Sequence, residues 1–137
     1  AAPPAPTVHM WAVHATQEDR EARYISPELD PRVQDAMADM PFDTYRALRI
    51  ASRPAPYTWE TRFPINDKYS LIAKPVSREP DGRIRIAVRV EMAPEKEGDK
   101  PINALEIRLV VTPGNLVKFR GLRLDKGELV VVLLARE

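Results

Sequence analysis

The chain has 137 residues, 44% of them hydrophobic, a formal net charge of +1 and no cysteine. That length predicts one domain with a real core, the near-balanced charge speaks against nucleic acid as a partner, and the missing thiols exclude disulfides and thiolate metal sites. No apolar run reaches the roughly 18 to 20 residues that a membrane-spanning helix needs, so no transmembrane segment is expected.

Residues 1–6 are Pro and Ala without charge. They predict a flexible, polyproline-like arm ahead of a β-domain over 7–137. An arm of this kind fits the start left by signal-peptide cleavage, and the numbering opens on Ala rather than Met. The expected location is therefore extracytoplasmic: periplasm, cell envelope or medium. The alternative is a fragment boundary. The preference for Arg over Lys, with much Ala and Pro, is what a GC-rich bacterial genome produces with no function behind it.

Thr7–Ala15 (TVHMWAVHA) predicts a first strand apolar on both faces. Thr16–Tyr24 is charged and fits a loop or a helical turn. Leu29, Val33, Ala36, Met37 and Met40 recur at helical spacing, which predicts a short amphipathic helix over Pro31–Met40, capped by Ser26 or Asp30 and ended by Pro41. Thr44–Ala51 reads as a strand between prolines, although a helix would suit its Ala and Leu. Alternation then begins at Tyr57, with Trp59, Thr61 and Phe63 on its face, and Asn66-Asp67 marks a turn. Tyr69–Val76 is the returning strand, and Pro75 suggests a sheet edge. After the Asp81-Gly82 turn, Arg83–Met92 places Ile84, Ile86, Val88, Val90 and Met92 inward. Ala104–Val111 repeats that pattern, with Leu105, Ile107, Leu109 and Val111 inward and Glu106 and Arg108 outward. Leu116–Leu124 is a strand with a bulge expected at Gly121.

The last element, Leu129–Ala135 (LVVVLLA), is a mostly β-branched run with no polar alternation. A strand wet on one face would alternate, so this one must be covered on both sides. Its natural companion is Thr7–Ala15. The total is seven or eight strands with one short helix after the first, and turns every eight to twelve residues. This is the pattern of an antiparallel β-sandwich or a flattened barrel. The helix is expected to close one open end of the core.

Candidate chemistry is sparse. His9 and His14 are the only histidines. Five apart, they fall on opposite faces of a strand, or about 140° apart on a helix, so a shared metal ion is not expected. Glu18, Asp19, Glu21, Glu28 and Asp30 lack the spacing of a calcium loop, and Arg20, Arg23 and Arg32 interleave with them. Asp35 and Asp39 share a helix face, where an exposed pair serves solubility. No nucleophile elbow and no phosphate-binding Gly loop occurs. No catalytic residue, cofactor or metal is expected.

Two features fit ligand binding. Arg83, Arg85 and Arg89, joined by Arg62 and Arg108, form a basic stripe that suits an anionic polymer; the preferred alternative is cross-strand pairing with Glu60, Glu91 and Glu106. Trp59 with Tyr57 could form an aromatic platform for sugar; the preferred alternative is the core of the adjoining hairpin.

The segments WAVHA, ISPEL, FDTYRALRI, TRFPINDKYSL, DGRIRIAVRV and the terminal GELVVVLLA, in this order, resemble a family of small, uncharacterised exported proteins of planctomycetes and myxobacteria. The resemblance spans nearly the whole chain as a hydrophobic and turn pattern, and it brings no site residues. It implies an envelope-associated β-domain. The function expected is a non-catalytic structural or accessory subunit of an extracytoplasmic assembly, with other protein subunits as partners, engaged in part through the arm. The alternative is a glycan- or anionic-polymer-binding module that uses Arg83, Arg85, Arg89, Trp59 and Tyr57.

Overall fold

A computed structural model describes residues 4–137. Five strands form one sheet: β1 (Thr7–Thr16), β2 (Tyr24–Ile25), β3 (Thr44–Pro54), β8 (Leu116–Leu124) and β9 (Gly127–Arg136), in the order β2-β3-β1-β9-β8. Four form the other: β4 (Thr61–Pro64), β5 (Tyr69–Arg78), β6 (Ile84–Met92) and β7 (Ile102–Val111), in sequence order. The helix α1 (Pro31–Ala36) lies between β2 and β3 in the chain. The protein is thus mainly β, an open sandwich and not a closed barrel.

β9 is an inner strand of the five-stranded sheet, between the central β1 and the edge strand β8, and β1 pairs with it from Thr7↔Arg136 to Ala15↔Glu128. Its lack of alternation has a direct cause. Leu129, Val131, Leu133 and Ala135 join the main core between the sheets, with Val8, Met10, Phe63, Leu71, Val88 and Val90. Val130 and Val132 point the other way, into a second core with Val13, Leu29, Val33, Met37, Met40 and Tyr45. The molecule therefore has three layers: the four-stranded sheet, the five-stranded sheet, and the α1 segment. Every residue of Leu129–Ala135 is buried. Full burial of a side chain of this size contributes about 1.5–3 kcal/mol.

The helix accordingly does not close an end of the core; it covers the outer face of the five-stranded sheet. It is also shorter than its apolar spacing predicts. Asp30 caps it by accepting from the Arg32 N–H at 2.9 Å. Beyond Ala36 the backbone continues in turns, with Met40 N–H bonded to Met37 C=O. Cations take the carbonyls that the end of a helix leaves free: Lys118 binds Ala36 at 2.9 Å, and Arg23 binds Ala38 and Met40 at 2.6 and 3.0 Å. Met37 and Met40 stay buried without being helical. Ser26, the other candidate cap, instead ties to β3, where its hydroxyl accepts from the Ala47 N–H at 3.0 Å.

Other boundaries differ for local reasons. The strand expected from Tyr57 starts at Thr61, because Thr58 adopts φ +71° and turns the chain. β5 is an inner strand, yet β4 stops short of Pro75, whose C=O instead accepts from the Thr58 N–H at 2.7 Å. Proline is tolerated there because no ladder partner needs its missing N–H. The charged segment after β1 is a loop; the Asp43 carboxylate pins it, accepting from the N–H groups of Glu18 and Arg20 at 2.8 and 2.7 Å. β8 bulges between Phe119 and Leu122, where Gly121 takes φ +95°. Of the Pro/Ala arm, residues 1–3 lie outside the described residues; Pro6 is buried, and its C=O accepts from the Ala55 N–H at 2.8 Å.

Candidate functional site

The register of the four-stranded sheet sets its outer face in rows. One row reads Arg62, Ile72, Arg89, Glu106 across β4 to β7. The next reads Lys74, Ala87, Arg108 across β5 to β7. Arg85 pairs in register with Val110 beyond it. The arginine stripe is therefore present on this face as a geometric feature.

Most of its charge is engaged. Arg89 forms ion pairs with Glu60 and, at 3.0 Å, with Glu91. Arg62 holds Glu91 at 3.0 Å, Arg85 holds Glu79 at 3.0 Å, and Arg83 holds Asp81 at 2.7 Å. The hydrogen bond from Arg89 holds the Glu60 carboxyl below its ordinary value, and Glu60 in turn holds the guanidinium above its own. At Glu91, burial opposes the charge, but Arg62 and Arg89 outweigh it and the pKa falls. Glu60, Arg89 and Glu91 are thus held in their charged forms and neutralise one another.

Of the two cations left over on this face, the sequence singles out Arg108 but not Lys74. Neither Lys74 nor Arg108 has an ion-pair partner among the described residues. They flank Ala87, whose small side chain leaves a groove of about 360 Å³ walled by Lys74, Arg85, Arg108, Val76 and Val110. A neighbouring hollow of about 160 Å³ brings in Glu60 and Glu106. Lys74 lies on a different strand from the Arg-rich β6, and only the cross-strand register places it beside Arg108. The one sequence signal for it was its outward position in β5. The arrangement offers two cationic side chains to an anion.

Tyr57 and Trp59 lie in different surroundings. Tyr57 packs against the main core, and burial pushes its phenol pKa up. Trp59 follows the turn at Thr58 and is 70% exposed.

The histidines have separate partners on opposite faces of β1. His9 Nδ1 is hydrogen-bonded to Ser52 Oγ at 2.6 Å, and its ring stacks on Trp11 with centroids 6.1 Å apart. His14 Nε2 donates to the Leu124 C=O at 3.1 Å. Among the described residues, no cluster of three or more His, Asp or Glu is placed to hold a metal ion. Glu18 pairs with Arg46, Asp39 with Lys118 at 3.1 Å, and Asp30 caps α1.

The space between the sheets, bounded by Val8, Ile86, Val117, Phe119 and Leu133, is about 10 Å³. That is room for roughly one water molecule. No helix among the described residues is long and apolar enough to cross a membrane.

No protein-family model, no curated protein and no solved structure matches the chain.

Proposed function

We propose that this protein is a non-catalytic structural or accessory subunit of an extracytoplasmic assembly, acting through its surfaces. The observation that carries the reading is apolar surface left uncovered on an otherwise closely packed sandwich. Ile102 is 50% exposed and Ile107 37% on β7, while Ile50 is 44% exposed beside Trp11 on the outer face of the five-stranded sheet. Val76 and Val110, 42% and 39% exposed, wall one groove on the four-stranded sheet, and adjacent exposed apolar side chains favour contact with another protein. The engagement of most arginines with carboxylates, and of each histidine with a local partner, also supports a role in contact rather than in proton transfer. The resemblance to exported proteins supports the extracytoplasmic location.

The test is fractionation of cells that make an epitope-tagged chain, followed by sizing after mild extraction. The tagged protein is expected in the envelope or periplasmic fraction, at a mass well above its own 15.5 kDa. A cytoplasmic species migrating alone would overturn the reading.

A second reading rests on Lys74 and Arg108: an anionic polymer lies along their groove. It requires salt-sensitive binding to an acidic polysaccharide, weakened about tenfold or more by Lys74→Ala with Arg108→Ala. Arg89→Ala, which removes a neutralised cation, is expected to matter less. Equal losses from both would remove the groove from consideration.

A further inference from the structure

β7 has the features of an edge built to be paired. It runs ten residues, Ile102–Val111, with β6 on one side and, among the described residues, no strand on the other. Alternate N–H and C=O groups along it therefore lack ladder partners. The other edges are blunted: β2 has two residues, β4 has four and ends in Pro64, and β8 is broken by the bulge at Gly121. β7 carries no proline, and its own irregularity, where Ala104 is skipped, lies near its start. Its core side is also incompletely covered. Leu105, Ile107 and Leu109 face the core side in register with Val90, Val88 and Ile86, yet Ile107 keeps 37% of its surface exposed.

The sequence of this edge says what covers it. Residues 105–109 read Leu-Glu-Ile-Arg-Leu. In an antiparallel pairing of two copies centred on Ile107, every position meets its complement. Leu105 meets Leu109 of the second copy and Ile107 meets Ile107 on the core side. Glu106 meets Arg108 on the outer side, twice per pair. Glu106 and Arg108 are exposed, and neither forms an ion pair within the chain among the described residues. Opposite charges directly across a strand pair stabilise it, and like charges destabilise it. A two-fold axis demands this kind of self-complementary patch.

We propose that β7 is a homodimerisation edge. A second copy of this chain pairs with it antiparallel about Ile107, joining the two four-stranded sheets into one continuous sheet. The inference rests on the assembly reading above and names one partner within it. It also draws Arg108 away from the groove beside Lys74, so pairing and anion binding compete for that residue.

Sedimentation equilibrium of the full chain, from about 10 µM to 1 mM, tests the proposal. A monomer–dimer equilibrium is expected, with amide exchange at residues 105–109 slowing as concentration rises. Arg108→Glu alone, or Glu106→Arg alone, sets like charges opposite each other twice. Each is expected to weaken association about tenfold or more while the melting temperature of dilute, monomeric protein stays unchanged, because both side chains point into solvent. Mixed in equal amounts, the two variants restore opposite charges at both positions, and a heterodimer of wild-type strength is expected. A wild-type chain that stays monomeric at about 1 mM overturns the proposal. So does association that both variants leave unchanged, or a mixture that fails to associate. A monomer in vitro from a protein that still migrates within a large envelope complex would sink the self-pairing alone and leave the assembly reading in place.

Discussion

Glu18 shows how much one carboxylate can tie together on the rim of this sandwich. It accepts from the Thr16 hydroxyl at 2.6 Å and pairs with Arg46, reaching from the end of β1 to β3. The hydrogen bond from Arg46, with that from Thr16, lowers its pKa from 4.5 to about 2. A carboxyl depressed by folding contributes stability above its unfolded pKa and loses it as pH falls through the folded one. This contact is thus complete above pH 4.5 and lost on descent to about 2. A carboxylate NMR titration is expected to place the Glu18 midpoint near 2, and Arg46→Ala to return it toward 4.5. A midpoint indifferent to Arg46→Ala would assign the shift to Thr16 instead. Tyr45 presents the opposite situation. It is fully buried in the second core, its hydroxyl has no hydrogen-bond partner among the described residues, and burial pushes its pKa up. An unmet buried hydroxyl costs about 1–3 kcal/mol. Tyr45→Phe keeps the ring edge-on to Phe42 and is expected to raise stability by about 1 kcal/mol in denaturant titrations. Tyr45→Ala, which empties the site, is expected to lose about 3 kcal/mol or more.

At the scale of elements, β9 draws its character from two neighbours rather than from itself. Val131 points into the main core, and Val130 and Val132 into the second. Val131→Asp leaves a charge with no partner there and is expected to abolish cooperative folding, seen as loss of the near-ultraviolet dichroism and of a melting transition. A soluble variant with native melting would show that β9 is not the centre of the fold. Gly127, where β9 begins, is constrained by space rather than by dihedral angle. A Cβ there would strike the Ala15 carbonyl oxygen and come within 2.8 Å of the Thr16 methyl group. Gly127→Ala is expected to cost about 1–3 kcal/mol, measured by denaturant unfolding. The adjoining turn takes its positive φ at Asp125. These elements differ in how plainly the sequence announces them. LVVVLLA, the β6 alternation and the Gly121 bulge were legible because burial on one or both faces and a glycine in a strand leave local marks. The extent of α1 was not, because Met37 and Met40 keep helical spacing while Arg23 and Lys118, distant in sequence, claim the carbonyls. The turn at Tyr57–Trp59 was hidden by alternating residue types, since nothing local marks Thr58 as left-handed. At the candidate site, Arg85 and Arg89 were legible as a stripe. The pairing of Arg89 with Glu60 and Glu91 was legible too, as the preferred alternative; the pairing of Arg85 with Glu79 and the prominence of Lys74 were not, because they depend on register and turn geometry that periodicity does not carry.

For the whole molecule, the pairing of β1 with β9 matters most. The partners Thr7 and Arg136 span nearly the full described chain. The five-stranded sheet cannot close until both are made, and long-range pairing of this kind slows folding to the millisecond-to-second range. Stopped-flow refolding is expected to fall in that range, with removal of residues 127–137 leaving the chain without a cooperative transition. Thr7 and Arg136 are also direct neighbours, so β1 and β9 enter and leave the sheet at the same end. A load applied between these two points would act across the ladder rather than along it. Hydrogen bonds would then break in succession from Thr7↔Arg136 toward Ala15↔Glu128, as in opening a zipper. As a tensile link the domain would therefore yield at low force. A domain built this way suits compression or lateral contact, and pulling instead between Thr7 and Glu128, at opposite ends of the β1–β9 ladder, loads the hydrogen bonds in shear and is expected to meet greater mechanical resistance.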